Sequence, residues 1–138
     1  MKIIKLYLTI FILITSVVKA DSNDNLIKEL RNGGKLIFIR HAYAPGGGDP
    51  VNFDLNHCNT QRNLSVRGKE QAKKIGNFFI KNNIPIDKIY SSQWCRCKDT
   101  SLIAFNKFET KKFLNSFYSE KFAKNKDSQI IDLKNFII

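Results

Sequence analysis

The chain has 138 residues, 43% of them hydrophobic, and a formal net charge of +11. That length allows one domain and no more. The 23 basic residues are scattered, with no run of five and no interleaved aromatics, which argues against a nucleic-acid surface and for a solvated one that also favours anionic ligands.

The first twenty residues are set apart from the fold. Lys2 and Lys5 give a positive start, and Leu6 to Val18 is an apolar run broken only by Thr9, Thr15 and Ser16. Val18-Lys19-Ala20 then offers small side chains where a signal peptidase reads, followed by polar Asp21-Ser22-Asn23-Asp24. This is the order and proportion of a secretory signal, giving residues 1–20 as signal peptide and 21–138 as the mature chain. An uncleaved anchor is the alternative, but the run falls short of the ~20 residues a bilayer core requires. After signal removal no membrane span is expected, and the location is periplasmic or secreted. The signal holds three lysines and no acid, so the remaining 118 residues carry about +8.

In chain order, Asn25 to Asn32 reads as a short helix, with Leu26, Ile27 and Leu30 on one face and Gly33-Gly34 as its stop. Lys35 to Arg40 is a continuous apolar run suited to a strand buried on both faces of a parallel sheet. Residues 42–63 form a long polar loop with Pro45, Gly46-Gly47-Gly48 and Asp49-Pro50, and a loop of that length in a small domain is usually functional. Ser65 caps a helix whose Gly68, Ala72, Ile75 and Phe79 recur at helical spacing down to Asn82-Asn83, with Pro85 beyond. Lys88 to Ser91 reads as a second strand, Gln93 to Ala104 as a helix, Phe108 to Leu114 as a third strand and Asp127 to Phe136 as a last helix. Alternating strands and helices imply an α/β layered fold with parallel pairing.

Ligands in such folds bind beyond the carboxyl ends of the strands. Arg40-His41-Ala42 closes strand one, Ser91-Ser92 to Arg96 closes strand two, and Arg62 precedes the Ser65 helix. Only five of the 23 basic residues are Arg: Arg31, Arg40, Arg62, Arg67 and Arg96. Against a lysine-rich background, arginines at these ends point to bidentate oxyanion binding. An imidazole among guanidiniums suits phosphoryl transfer, because the arginines hold phosphate oxygens while their charge keeps the imidazole neutral. Taken singly, a His after an apolar strand or an Arg near a helix start is more often structural or merely exposed; the joint placement carries the reading. Trp94 is expected in the core. Cys95 and Cys97 lie too close to bridge comfortably, leaving Cys58 to pair with one of them in an oxidising compartment. Cys-x-Cys is poor zinc spacing, so no metal is expected.

Leu36-Ile37-Phe38-Ile39-Arg40-His41-Ala42 resembles the strand and Arg-His-Gly motif that opens the histidine phosphatase superfamily, which includes phosphoglycerate mutase-like enzymes. Asn63-Leu64-Ser65-x-x-Gly68-x-x-Gln71-Ala72 and Ile89-Tyr90-Ser91-Ser92-x-x-x-Arg96-x-x-x-Thr100 resemble its next two motifs, in the family's order. The resemblance covers roughly residues 35–105. It implies a three-layer α/β sandwich with a mainly parallel sheet. It makes His41 the phosphorylated nucleophile, Arg40 and Arg96 the phosphoryl ligands, and Arg62 and Ser92 substrate-binding residues, with no metal and no organic cofactor. The substrate would be a small phosphorylated molecule, with hydrolysis favoured over mutase chemistry for an exported protein. The cysteines flanking Arg96 suggest an exported branch in which a disulfide braces the pocket. Ala42 replaces the commoner Gly after the His.

The family's second pocket His lies on a later strand toward the C-terminus, and His57 is misplaced for it in order and element. The expectation is therefore a partial domain, incomplete at the C-terminus, with an open strand edge, marginal stability and a tendency to aggregate. A non-catalytic phosphate- or polyanion-binding domain is the competing function. No general acid is assigned; Glu120 is the nearest weak candidate, and Glu109 lies beside strand three.

Overall fold

Two helices make the frame that holds the site. Helix α2 (Val66–Lys81) starts at Ser65, whose side chain accepts from the Gly68 N–H, the cap its sequence foretold. Helix α3 (Cys95–Phe105) lies against it and ends at Asn106, which takes a left-handed backbone (φ 56°) and returns its N–H to the Leu102 carbonyl. Gly76 lets the two approach: a Cβ there would overlap the Ala104 carbonyl. Beyond that crossing, Phe79 and Phe105 meet edge to face at 5.3 Å.

This is a computed structural model, and it describes residues 21–138; residues 1–20, read above as a signal peptide, lie outside the described residues. Helix α1 (Asp21–Arg31) stops at Gly33 and Gly34, both at positive φ, and Arg31 Nε donates to the Asn82 carbonyl at 2.6 Å. The described sheet has two short parallel strands, β1 (Tyr90–Ser91) and β2 (Glu109–Thr110), paired Tyr90 to Glu109 and Ser91 to Thr110. Lys112–Leu114 is a 3-10 turn, so the expected third strand shortens to two residues. Helix α4 (Glu120–Ala123) sets Phe122 against Trp94 and Phe53, at 5.4 and 5.8 Å between ring centroids. Helix α5 (Lys126–Ile137) packs on the 3-10 turn through Gln129, which donates to the Lys112 carbonyl, and through Phe136, 5.1 Å from Phe113 and 4.9 Å from Tyr90. The described residues contain no helix long and apolar enough to cross a membrane.

The first strand requires a correction. Lys35 to Arg40 takes no regular secondary structure, and Leu36, Ile37, Phe38 and Ile39 are 45% to 68% exposed. A run apolar on both faces becomes a buried strand only when a neighbour pairs its backbone and layers cover its faces. Among the described residues β1 pairs with β2 alone, so neither requirement is met. Order resumes just past His41, where Ala42, Ala44, Leu64 and Ala72 form a buried cluster.

Candidate functional site

All three motifs converge on the backbone that follows His41. The Ala42 N–H donates to Thr100 Oγ1 at 3.0 Å, and that hydroxyl donates in turn to the Arg96 carbonyl at 2.7 Å. The Tyr43 N–H donates to Gln71 Oε1 at 2.8 Å, and the Tyr43 carbonyl accepts from the Ser65 N–H at 3.2 Å. Gly68 sits under that carbonyl, where a Cβ would overlap it. The motif's Ser, Gly, Gln and Thr thus fasten α2 and α3 to Ala42 and Tyr43.

His41 is half-buried, and its Nδ1 lies 2.7 Å from the Ala42 carbonyl oxygen. A carbonyl can only accept, so Nδ1 carries the proton and the lone pair is on Nε2. Its pKa is lowered from the ordinary histidine value, first by burial and then, against the Ala42 hydrogen bond that raises it, by the charges of Arg96, Arg62 and Arg40. All three arginines lie close enough for their charge to reach this imidazole, although the strand expected to carry Arg40 and His41 does not form.

They are held differently. Arg40 is exposed. Arg62 donates from Nη1 to the carbonyls of Ala44 and Gly46, at 2.6 and 3.3 Å. Burial, and next the charge of Arg96, lower its pKa. Arg96 is 8% exposed and stacks over Trp94, its Cζ 5.8 Å from the ring centroid. Its Nη1 donates to both carboxylate oxygens of Asp49, at 2.8 and 3.0 Å. Arg62 Nε and Arg96 Nε are both buried with no partner. Each guanidinium is thus gripped by Nη1, while the edge formed by Nε and Nη2 is left without an acceptor among the described residues. That edge is the fork an oxyanion takes bidentately.

The 42–63 loop does more than the sequence indicated. Asp54 knits its far half: its N–H donates to Thr60 Oγ1, its carboxylate accepts from the Asn56 N–H and from His57 Nδ1, and its carbonyl accepts from Gln61 Nε2. Buried Gln61 turns its Oε1 to the Cys95 N–H at 3.0 Å. Cys58, opening a 3-10 turn (Cys58–Thr60), is disulfide-bonded to Cys95, and Cys97 is free. Burial pushes the Cys97 thiol up in pKa, which favours its protonated form.

Other expected residues fall elsewhere. His57 pairs with Asp54 at 2.7 Å on the exposed side of the loop. Glu120 is exposed at the start of α4, and Glu109 is exposed and ion-paired with Lys111 at 3.2 Å. Ser92 is buried just before α3, and its carbonyl accepts from Ser91 Oγ. The Ser91-Ser92 pair does not cap α3; Trp94 holds that position without a side-chain bond. Asp49 and Gln61 escaped sequence reasoning because an Asp before Pro in a glycine-rich stretch reads as turn chemistry. The signal that could have found Asp49 was a buried arginine's need for a counter-charge. Among the described residues, no three His, Cys, Asp or Glu side chains converge as a metal site.

The described residues form an α/β arrangement in which helices α2 and α3 meet the segment after His41, with Arg62 and Arg96 tied to the same junction. A family model described as the histidine phosphatase superfamily (branch 1) matches residues 36–115, more than half of the chain and all three motifs. The chain belongs to that superfamily. No curated protein and no solved structure matches it.

Proposed function

We propose that this protein is a phosphomonoester hydrolase that works through a phosphohistidine on His41. The observation that carries the reading is a neutral imidazole with a free Nε2 beside two guanidiniums whose Nε–Nη2 edges lack acceptors. In the reaction, Nε2 attacks phosphorus, the bond to the leaving oxygen breaks, and the alkoxide takes a proton from solvent water and departs as the alcohol. Water then attacks phosphorus and returns a proton to solvent, the N–P electron pair goes back to Nε2, and inorganic phosphate leaves. Arg96 and Arg40 would hold the phosphoryl oxygens as negative charge spreads over them, with Arg62 and Ser92 completing the contacts. For the whole fold we propose the family's three-layer sandwich with a mainly parallel sheet, supported by the two-faced apolar run that leads into His41. Export to the periplasm or beyond is supported by the signal-like residues 1–20 and by a disulfide that persists where conditions are oxidising.

A second reading, a phosphate-binding module without turnover, is favoured by one observation: His57 turns outward, so among the described residues the cluster holds a single imidazole. Hydrolysis of an aryl phosphate separates the two. Activity that disappears in His41→Ala supports the enzyme. Phosphate binding without turnover, lost in Arg96→Ala, supports the module. If neither substitution changes either property, both readings fail.

A further inference from the structure

Asp49 is the acid at the centre of this site, and its surroundings specify what it can do. Its side chain is 10% exposed and meets the Arg96 side chain, itself 9% exposed, at 2.8 Å. Oδ1 also accepts from the Arg62 backbone N–H at 2.9 Å, and Oδ2 from Trp94 Nε1 at 3.0 Å. Four donated hydrogen bonds thus reach one carboxylate. Three roles are open to it: proton donor, internal stand-in that an incoming phosphate displaces, or permanent brace.

The first does not suit the geometry. A carboxylate held by a guanidinium and two N–H donors has its ionised form stabilised and no proton to give. Burial raises the Asp49 pKa, but the bonds from Arg62, Arg96 and Trp94 outweigh it, and the net shift is downward. The second fails on what displacement would leave behind. The Trp94 Nε1–H and the Arg62 N–H would lose their acceptor in a buried place, where unpaired donors are costly. The partition of Arg96 settles on the third. Asp49 takes Nη1 alone, leaving buried Nε without a partner beside Nη2. A stand-in for phosphate would occupy the fork itself.

We propose that Asp49 is a positioning residue: it clamps Arg96 by Nη1 and the Arg62 backbone by its N–H, aims the free Nε–Nη2 edge of Arg96 at the phosphoryl group, and stays in place when phosphate binds. This rests on the phosphohistidine reading for the identity of the ligand, not for the clamp. Simple electrostatics predicts the opposite outcome, since removing a carboxylate from beside an anion site would tighten anion binding.

The test compares the wild-type protein with Asp49→Asn in calorimetric titrations with inorganic phosphate, alongside NMR of the Arg96 Nε–H resonance. Positioning predicts that Asn weakens phosphate binding at least tenfold at temperatures far below melting. It also predicts that the Arg96 Nε–H signal, discrete in the free wild-type protein and shifted by phosphate, collapses into the averaged arginine signal in the variant. Equal or tighter phosphate binding by Asp49→Asn overturns the proposal and leaves the phosphatase reading standing. A discrete Arg96 signal in a wild-type protein that binds no phosphate does the reverse: the clamp stands and the phosphatase reading falls. If Asp49→Asn does not fold, Trp94→Phe removes one donor from the carboxylate; a weakening of about threefold is expected, and unchanged affinity overturns the clamp.

Discussion

Breaking the Cys58–Cys95 bridge should cost this domain much of its stability, because of what the bridge closes. The two cysteines are 37 residues apart in sequence. Loop-closure entropy for a segment of that size corresponds to about 4 kcal/mol of denatured-state restriction. Marginal domains hold only about 5–15 kcal/mol in all. Cys95 is fully buried, so Ala is a better replacement there than Ser, which would bring in a hydroxyl without a designed partner. The comparison is between Cys97→Ser and the same background carrying Cys58→Ala and Cys95→Ala, which prevents thiol exchange through Cys97. Guanidinium unfolding followed by the emission of Trp94, the single tryptophan, should show a loss of about 3–4 kcal/mol. It should also show a steeper denaturant dependence, as the freed chain expands further on unfolding. Phosphate affinity should fall with it, because the bridge anchors the loop that carries Asp49 to the residue before Arg96. A loss below about 1 kcal/mol with unchanged affinity would refute the reasoning; it would mean that Asp54, Gln61 and Asp49 hold the loop unaided.

Two further outcomes follow from the site. His41 should titrate below 6.5 in the folded protein, read from its ring-proton shifts. Since the unfolded chain then binds more protons than the native one between the folded value and 6.5, stability from this group should be full above 6.5 and decline as pH falls through the folded value; a raised value would defeat the neutral-nucleophile argument. Gly68→Ala should destabilise by about 2–3 kcal/mol in chemical denaturation, although helix propensity alone would reward it by about 1 kcal/mol. A stabilising result would mean that the Tyr43 carbonyl yields without loss.

How much of this could be read from the residues depends on how local each cause is. The Ser65 cap acts within three residues, and α2 begins where the sequence placed it. The family was legible because the motifs containing His41 and Arg96 stand in the expected order. The strand at Lys35 to Arg40 was not, since pairing is decided by distant chain and not by the apolar run itself. Asp49 was illegible for a related reason. Its partners Trp94 and Arg96 lie 45 and 47 residues away, and nothing in Gly-Asp-Pro announces them. Thr100 is an intermediate case: its motif position was visible, but the bond that ties Ala42 to α3 emerges only from the packing.

These particulars locate the site's rigidity. The described sheet contributes two strands of two residues each, too little to fix side chains at the level phosphoryl transfer requires. The loop instead reaches α3 three times within three residues: Asp49 to Trp94 and Arg96, Gln61 to the Cys95 N–H, and Cys58 to Cys95 by a covalent bond. One ionic, one amide and one covalent tie converge on residues 94–96, and Thr100 and Gln71 carry the same frame across to the backbone after His41. The arginine fork and the imidazole are therefore held relative to each other through the loop–helix junction. For this reason substitutions at that junction, far more than changes in the short strands, should decide whether phosphate is bound.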